Sequence, residues 1–94
     1  VVRVADHALG PDRPLGLIAG PCLLEGRDHA LFHAEALAAA ARRHGLPFVF
    51  KASFDKANRT SRDAARGPGL DAGLEMLAAV KDALGVPVTT DIHL

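Results

Sequence analysis

The stretch FKASFDKANR (50–59) sets two lysines, Lys51 and Lys56, around the carboxylate of Asp55, and follows them with Asn58 and Arg59. Lysine supplies a compact charge, and arginine a planar donor fork that matches phosphate or carboxylate. Asp55 can tether one lysine or accept hydrogen bonds from sugar hydroxyls. The chemistry that fits is capture of a small anionic ligand. A solvated loop of ordinary surface charges is the plain alternative, but Lys51 sits directly on the end of an apolar run, which favours the ligand.

Two other places carry reactive groups. Cys22 and Glu25 follow the apolar run LGLIAG (15–20), and Asp91 and His93 follow VPVTT (86–90). A lone cysteine is most often a small hydrophobe. It can also serve as a thiolate ligand for a divalent metal, with His93 as a possible neighbour. No CxxC, HExxH or EF-hand spacing completes a metal site. Asp91 and His93, two apart on an extended chain, share a side, where they could orient a substrate or a metal-bound water; His93 also reads as an exposed terminal residue. RGPG (66–69) could form a nest of backbone N–H groups for phosphate, although a turn into a helix is the commoner use of such a sequence, and the spacing is not that of a Walker loop. His7, His29, His33 and His44 read as surface or helix-face residues.

The elements that must position these groups follow from periodicity. LGLIAG, bounded by Pro14 and Gly20-Pro21, predicts a buried strand. Asp28 predicts a helix cap, with Leu31, Ala34, Leu37, Ala38 and Ala41 at helical spacing over about 28–44. Arg42, Arg43 and His44 suit the negative end of that helix, and Gly45 its C′ position. Its alanine enrichment reads as composition. PFVFKAS (47–53) predicts a second strand, whose contiguous Phe48, Val49 and Phe50 suit cover on both faces. Residues 54–69 lack periodicity, and a connection of that length is uncommon unless it is functional or mobile. A second helix begins near Asp71, with Leu74, Leu77, Val80 and Leu84 as its apolar face and Gly85 as its stop. VPVTT is the third strand, and VVRV (1–4) suggests an extra short strand, half of a hairpin.

Strand, helix, strand, helix, strand without clear alternation indicates α/β architecture, a parallel sheet with right-handed crossovers. The loops after the strands then lie on one side, where such folds bind ligands. Cys22, Glu25, Lys51, Ser53, Asp55, Lys56, Asn58, Arg59, Asp91 and His93 all fall there. The loops of the other side, HGLP (44–47) and LGVP (84–87), are short and plain.

Composition narrows the partners. The chain has 94 residues, 49% hydrophobic and 23% charged, which suits a globular protein rather than a disordered one. Net charge is zero and neither Trp nor Tyr occurs, so neither a global field nor stacking platforms favour nucleic acid. A single Cys forms no intrachain disulfide, no apolar run approaches the ~20 residues of a membrane span, and VVRVADHALG lacks signal-peptide character. A cytoplasmic location is the expectation. The stop after VPVTTDIHL suggests truncation.

The chain closely resembles the 3-deoxy-D-manno-octulosonate 8-phosphate synthases. The matching motifs are IAGPCLLE (18–25), PFVFKASFDKANRTS (47–61), RGPGLDAGLEML (66–77) and VPVTTDIH (86–93). AGPC with an acidic residue close behind is shared with related enzymes that condense phosphoenolpyruvate with sugar phosphates, among them the 3-deoxy-D-arabino-heptulosonate 7-phosphate synthases. Those typically carry a KPRTS-like sequence where this chain has KANRTS. The resemblance implies a (β/α)₈ TIM barrel joining phosphoenolpyruvate to D-arabinose 5-phosphate with release of phosphate. Barrels of this kind need about 250 residues, so residues 1–94 would be the N-terminal part of one barrel domain, its first three strands and two helices. By resemblance, Lys51 and Ser53 lie against phosphoenolpyruvate, Lys56 and Asn58 hold the sugar phosphate, and Arg59 and Thr60 reach a phosphate at a site completed by a neighbouring subunit of a homo-oligomer, a tetramer. Asp91 and His93 border the sugar phosphate and the reacting centre. Cys22 takes the metal-ligand position of the metal-dependent branch, where the metal-independent branch has Asn; its other ligands come later in the family's chain. Ala65 and Leu94 stand where the family more often has an aromatic residue and a Glu. The 94 residues alone are expected to be inactive and marginally folded or oligomeric, with an unpaired sheet edge.

Overall fold

The computed structural model describes residues 2–54 and 69–91. Its elements run β1 (Val2–Val4), β2 (His7–Leu9), β3 (Leu17–Ala19), α1 (Arg27–Arg43), β4 (Phe48–Lys51), α2 (Leu70–Leu84) and β5 (Val88–Thr89). β1 and β2 form an antiparallel hairpin, with Ala5 at φ 53° in its two-residue turn. β3, β4 and β5 form a separate parallel sheet in that order, with β4 central. The chain is therefore α/β, and VVRV is half of a hairpin.

The register aligns Leu17 with Phe48, Ala19 with Phe50 and Phe50 with Val88. Side chains alternate across a sheet, so these residues share one face, and it is the face the helices cover. Phe48 and Phe50 are buried against Ala30, Ala34, Ala38 and Ala41 of α1 and Leu77 and Val80 of α2. The alanines are thus the whole buried face of α1 rather than a trait of composition. Small side chains let the helix lie close over the two phenylalanine rings, and close contact is what dispersion rewards.

The opposite face carries Ile18, Val49, Lys51 and Thr89. Val49 is buried at the centre, but Ile18 is 52% exposed, and Lys51 and Thr89 are exposed. The expectation of a buried first strand therefore fails for β3. Leu15 lies outside it at 76% exposure, and among the described residues helices pack on one face of the sheet only.

The helix ends follow local chemistry. Gly26, not Asp28, is the N-cap of α1, and it makes no side-chain cap bond. Asp28 instead sits in the first turn, where its charge meets the positive end of the helix dipole. At the other end Gly45 takes φ 66°. The amide of Leu46 donates to the Ala41 carbonyl at 2.9 Å and that of Gly45 to Arg42 at 3.2 Å, the paired bonds of a Schellman motif. Gly85 closes α2 in the same left-handed conformation. The buried stripe of α2 is Gly73, Leu77 and Val80 with Leu84 half-buried. Leu74, expected in that stripe, is 48% exposed, because accommodating the chain beyond β4 rotates the contact onto Gly73.

Candidate functional site

Because β3, β4 and β5 are parallel, the segments that leave Ala19, Lys51 and Thr89 emerge at one end of the sheet. Cys22, Lys51 and Asp91 therefore belong to the same rim. Backbone hydrogen bonds hold those segments to one another. The Leu24 amide donates to the Ser53 carbonyl at 2.8 Å, and the Ala52 amide to the Thr89 carbonyl at 3.3 Å. Each extends strand pairing past the regular sheet, so the rim is a continuation of the fold rather than a set of independent loops.

Lys51 is the last residue of β4 and is exposed, on the face opposite the helices. Its cation stands beside the apolar Ile18 and Val49 and the hydroxyl of Thr89. That is a setting in which a charge can meet an anion with little competing side-chain charge from the same strands. Glycine is required next to it. A Cβ on Gly20 would fall on the Lys51 carbonyl oxygen, 2.8 Å from the Lys51 carbonyl carbon and 3.2 Å from the Phe50 ring. The close approach of the β3 exit to the β4 exit thus depends on a hydrogen atom at Gly20.

Cys22 is exposed and unbridged, against the hydrophobe reading, while the neighbouring Leu23 and Leu24 are buried and anchor its loop. Ser53 is 1% exposed. Ser53 lies inside, and its backbone carbonyl receives the Leu24 amide. Asp91 is half-buried at the exit of β5. Lys56, Asn58, Arg59, Thr60 and His93, together with Asp55 and most of RGPG, lie outside the described residues; Gly69, the last residue of that motif, is the N-cap of α2 at φ 90°. Among the described residues no group of three or more His, Cys, Asp or Glu could hold a metal ion.

Sequence reasoning passed over a pairing near this rim. His29 Nε2 lies 3.2 Å from Glu25 Oε2, and the His29 and His33 rings meet edge to face at 4.4 Å. The spacing Glu25, His29, His33 is a four-residue ladder that a helix start brings together, which is the signal that could have found it. A cleft of about 400 Å³ lies between the hairpin turn and the end of α2, lined by Asp6, His7, Lys81, Asp82 and Pro87 among others. It sits toward the start of β5, away from the rim, and holds none of the candidate residues. No helix among the described residues is long and apolar enough to cross a membrane.

Similarity to known proteins agrees with the motifs. A protein named 2-dehydro-3-deoxyphosphooctonate aldolase from Rickettsia bellii is 54% identical over 93 residues, which cover 99% of this chain and 34% of that protein. Proteins of the same name from Methylobacterium radiotolerans and Rhodopseudomonas palustris are 56% and 54% identical over 93 residues, 99% of this chain and 33% and 32% of theirs. The chain spans about a third of the length of the curated relatives it matches. The family model described as the DAHP synthetase I family matches residues 1–94, end to end, and the chain belongs to that family.

Proposed function

We propose that the intact protein joins phosphoenolpyruvate to D-arabinose 5-phosphate, giving 3-deoxy-D-manno-octulosonate 8-phosphate and phosphate. The observation that carries this reading is the meeting of the Cys22, Lys51 and Asp91 segments at one end of three parallel strands. The names of relatives at 54% and 56% identity agree with it. On this reading residues 1–94 are the N-terminal part of a single TIM barrel in a cytoplasmic homo-oligomer.

The reaction adds C3 of phosphoenolpyruvate to the sugar aldehyde while water adds at C2. The aldehyde oxygen takes up a proton from that water, and the bond from C2 to the phosphate oxygen then breaks, leaving a C2 carbonyl and releasing phosphate. Both substrates are anions, so the site must first overcome their repulsion. Lys51 offers its ammonium to phosphoenolpyruvate from a fixed strand end, and a charge held in place before reaction needs no reorganisation during it. Lys56, Asn58, Arg59 and Thr60 are proposed to hold the sugar phosphate, and Asp91 and His93 to border the aldehyde. Ser53 is proposed to lie with Lys51 against phosphoenolpyruvate.

A divalent metal would act as a Lewis acid at such a centre. Cys22 can supply one exposed thiolate to it, but the described residues do not complete a ligand set, so no step is assigned to a metal. Cys22→Ser in the intact protein is expected to lower bound divalent metal from about one per chain to a small fraction, as loss of one ligand weakens a site built from few. Metal retained at wild-type level after dialysis against a chelator would remove Cys22 from the ligand set.

Phosphate release from phosphoenolpyruvate, measured on the intact protein with arabinose 5-phosphate or erythrose 4-phosphate, tests the main reading. Preference for arabinose 5-phosphate by ~100-fold in kcat/KM is expected, the scale on which sites discriminate hydroxyl-bearing substrates. Preference for erythrose 4-phosphate would make the protein a 3-deoxy-D-arabino-heptulosonate 7-phosphate synthase.

A further inference from the structure

Glycine costs a helix about 1 kcal/mol relative to alanine, yet Gly73 sits inside α2 and is buried. A Cβ at Gly73 would overlap the Cβ of Phe54 and lie 3.2 Å from its Cγ. Phe54 ends a short buried segment that begins just after Lys51: Ala52 is 1%, Ser53 1% and Phe54 7% exposed. Three neighbouring segments bond to it. Leu24 donates to the Ser53 carbonyl from the β3 side, Ala52 donates to Thr89 on the β5 side, and the Gly69 amide donates to the Phe54 carbonyl at 3.3 Å from the start of α2.

We infer that Gly73 is a positioning residue for Lys51: it lets α2 press against Phe54, and residues 52–54 transmit that seat to the lysine at the rim. The inference rests on the proposed role of Lys51 and adds to it a contact on the buried face of α2. Alanine at position 73 forces α2 and Phe54 apart, and the most direct path for that shift toward the rim is the segment that follows Lys51. Misplacement of a binding group by about 1 Å from a remote change costs up to ~100-fold in rate.

The test compares Gly73→Ala with Val80→Ala in the intact protein. Val80 is fully buried on the same helix and in the same core cluster as Phe54, so its truncation loosens the packing without pressing a new group against Phe54. Gly73→Ala is expected to lower kcat/KM for phosphoenolpyruvate by about ten- to a hundredfold, and to change KM for arabinose 5-phosphate by less than about threefold. Val80→Ala is expected to lower the melting temperature while leaving both KM values near wild type. Equal kinetic effects of the two variants, or none from a folded Gly73→Ala, would overturn the inference. Amide hydrogen exchange on the wild-type protein gives a second measurement that needs no variant. Leu24, Ala52 and Gly69 are expected to be protected to within about tenfold of one another, as one cooperative unit. Exchange of Gly69 about a hundredfold faster than the other two would break the proposed link, and it decides the matter if Gly73→Ala does not fold. Absence of turnover in the wild type would remove the proposed reaction, while exchange would still report whether the segment is one unit.

Discussion

Gly20→Ala is expected to destabilise the protein by about 3 kcal/mol or more, the upper range for forcing extra volume into a packed site. The reason is that the atom in the way belongs to the backbone. The new methyl group would collide with the Lys51 carbonyl, and a carbonyl cannot swing aside as a side-chain tip can. Nor can β4 retreat. The Phe50 amide donates to the Pro87 carbonyl at 2.9 Å and the Ala52 amide to Thr89, tying β4 to β5 on both sides of Lys51. Either β3 separates from β4 or the pairing of β4 with β5 breaks. Gly45→Ala is the natural comparison. No atom lies within 4 Å of a Cβ at Gly45, so only the left-handed backbone is penalised, at about 1–2 kcal/mol. Denaturant midpoints of the two variants measure the difference. A Gly20→Ala variant no less stable than Gly45→Ala would show that the exits of β3 and β4 do not approach as described.

Lys51→Met in the intact protein is expected to lower kcat/KM for phosphoenolpyruvate by about 10² to 10³, the usual scale for deleting a preorganised electrostatic group. Methionine keeps most of the aliphatic stem and removes the charge. Because Lys51 is exposed, stability is expected to stay within about 0.5 kcal/mol of wild type. The contrast with Gly20 is the point: one variant damages the frame, the other only the group the frame holds. Steady-state kinetics beside a denaturant curve separates the two. Activity of Lys51→Met within a few-fold of wild type would take Lys51 out of the site.

Much of this frame was legible in the residues. The helix stops were, because Gly45 and Gly85 answer a conformational demand that a sequence displays directly. The parallel order was, because Phe48, Val49 and Phe50 cannot be half-solvated, and all three are buried. The convergence at one rim followed from that order alone. What was hidden depended on contacts between distant segments. Gly73 breaks the apolar pattern of α2 for the sake of Phe54, and a pattern of one helix cannot reveal its partner. Asp28 looked like a cap because its type is right; Gly26 takes the place because the chain arrives at φ 147°. Ser53, two residues past Lys51, shares its face by strict alternation, and its 1% exposure reflects how neighbouring segments close around residues 52–54, which the pattern of one strand does not display. The Glu25–His29 pair needed the exact start of α1, which lies one residue before the predicted one.

The alanine face of α1 has a mechanical corollary. Ridges on a helix normally act as detents that resist sliding along its length. Ala30, Ala34, Ala38 and Ala41 give this one a low underside, with Leu31 and Leu37 packed at its edges, so the bonds at its two ends add to what sets its axial position. At one end the Schellman bonds fasten Gly45 and Leu46; at the other, Leu24 is fastened to Ser53. The second fastening is itself part of the rim, so the helix and the rim share one anchor.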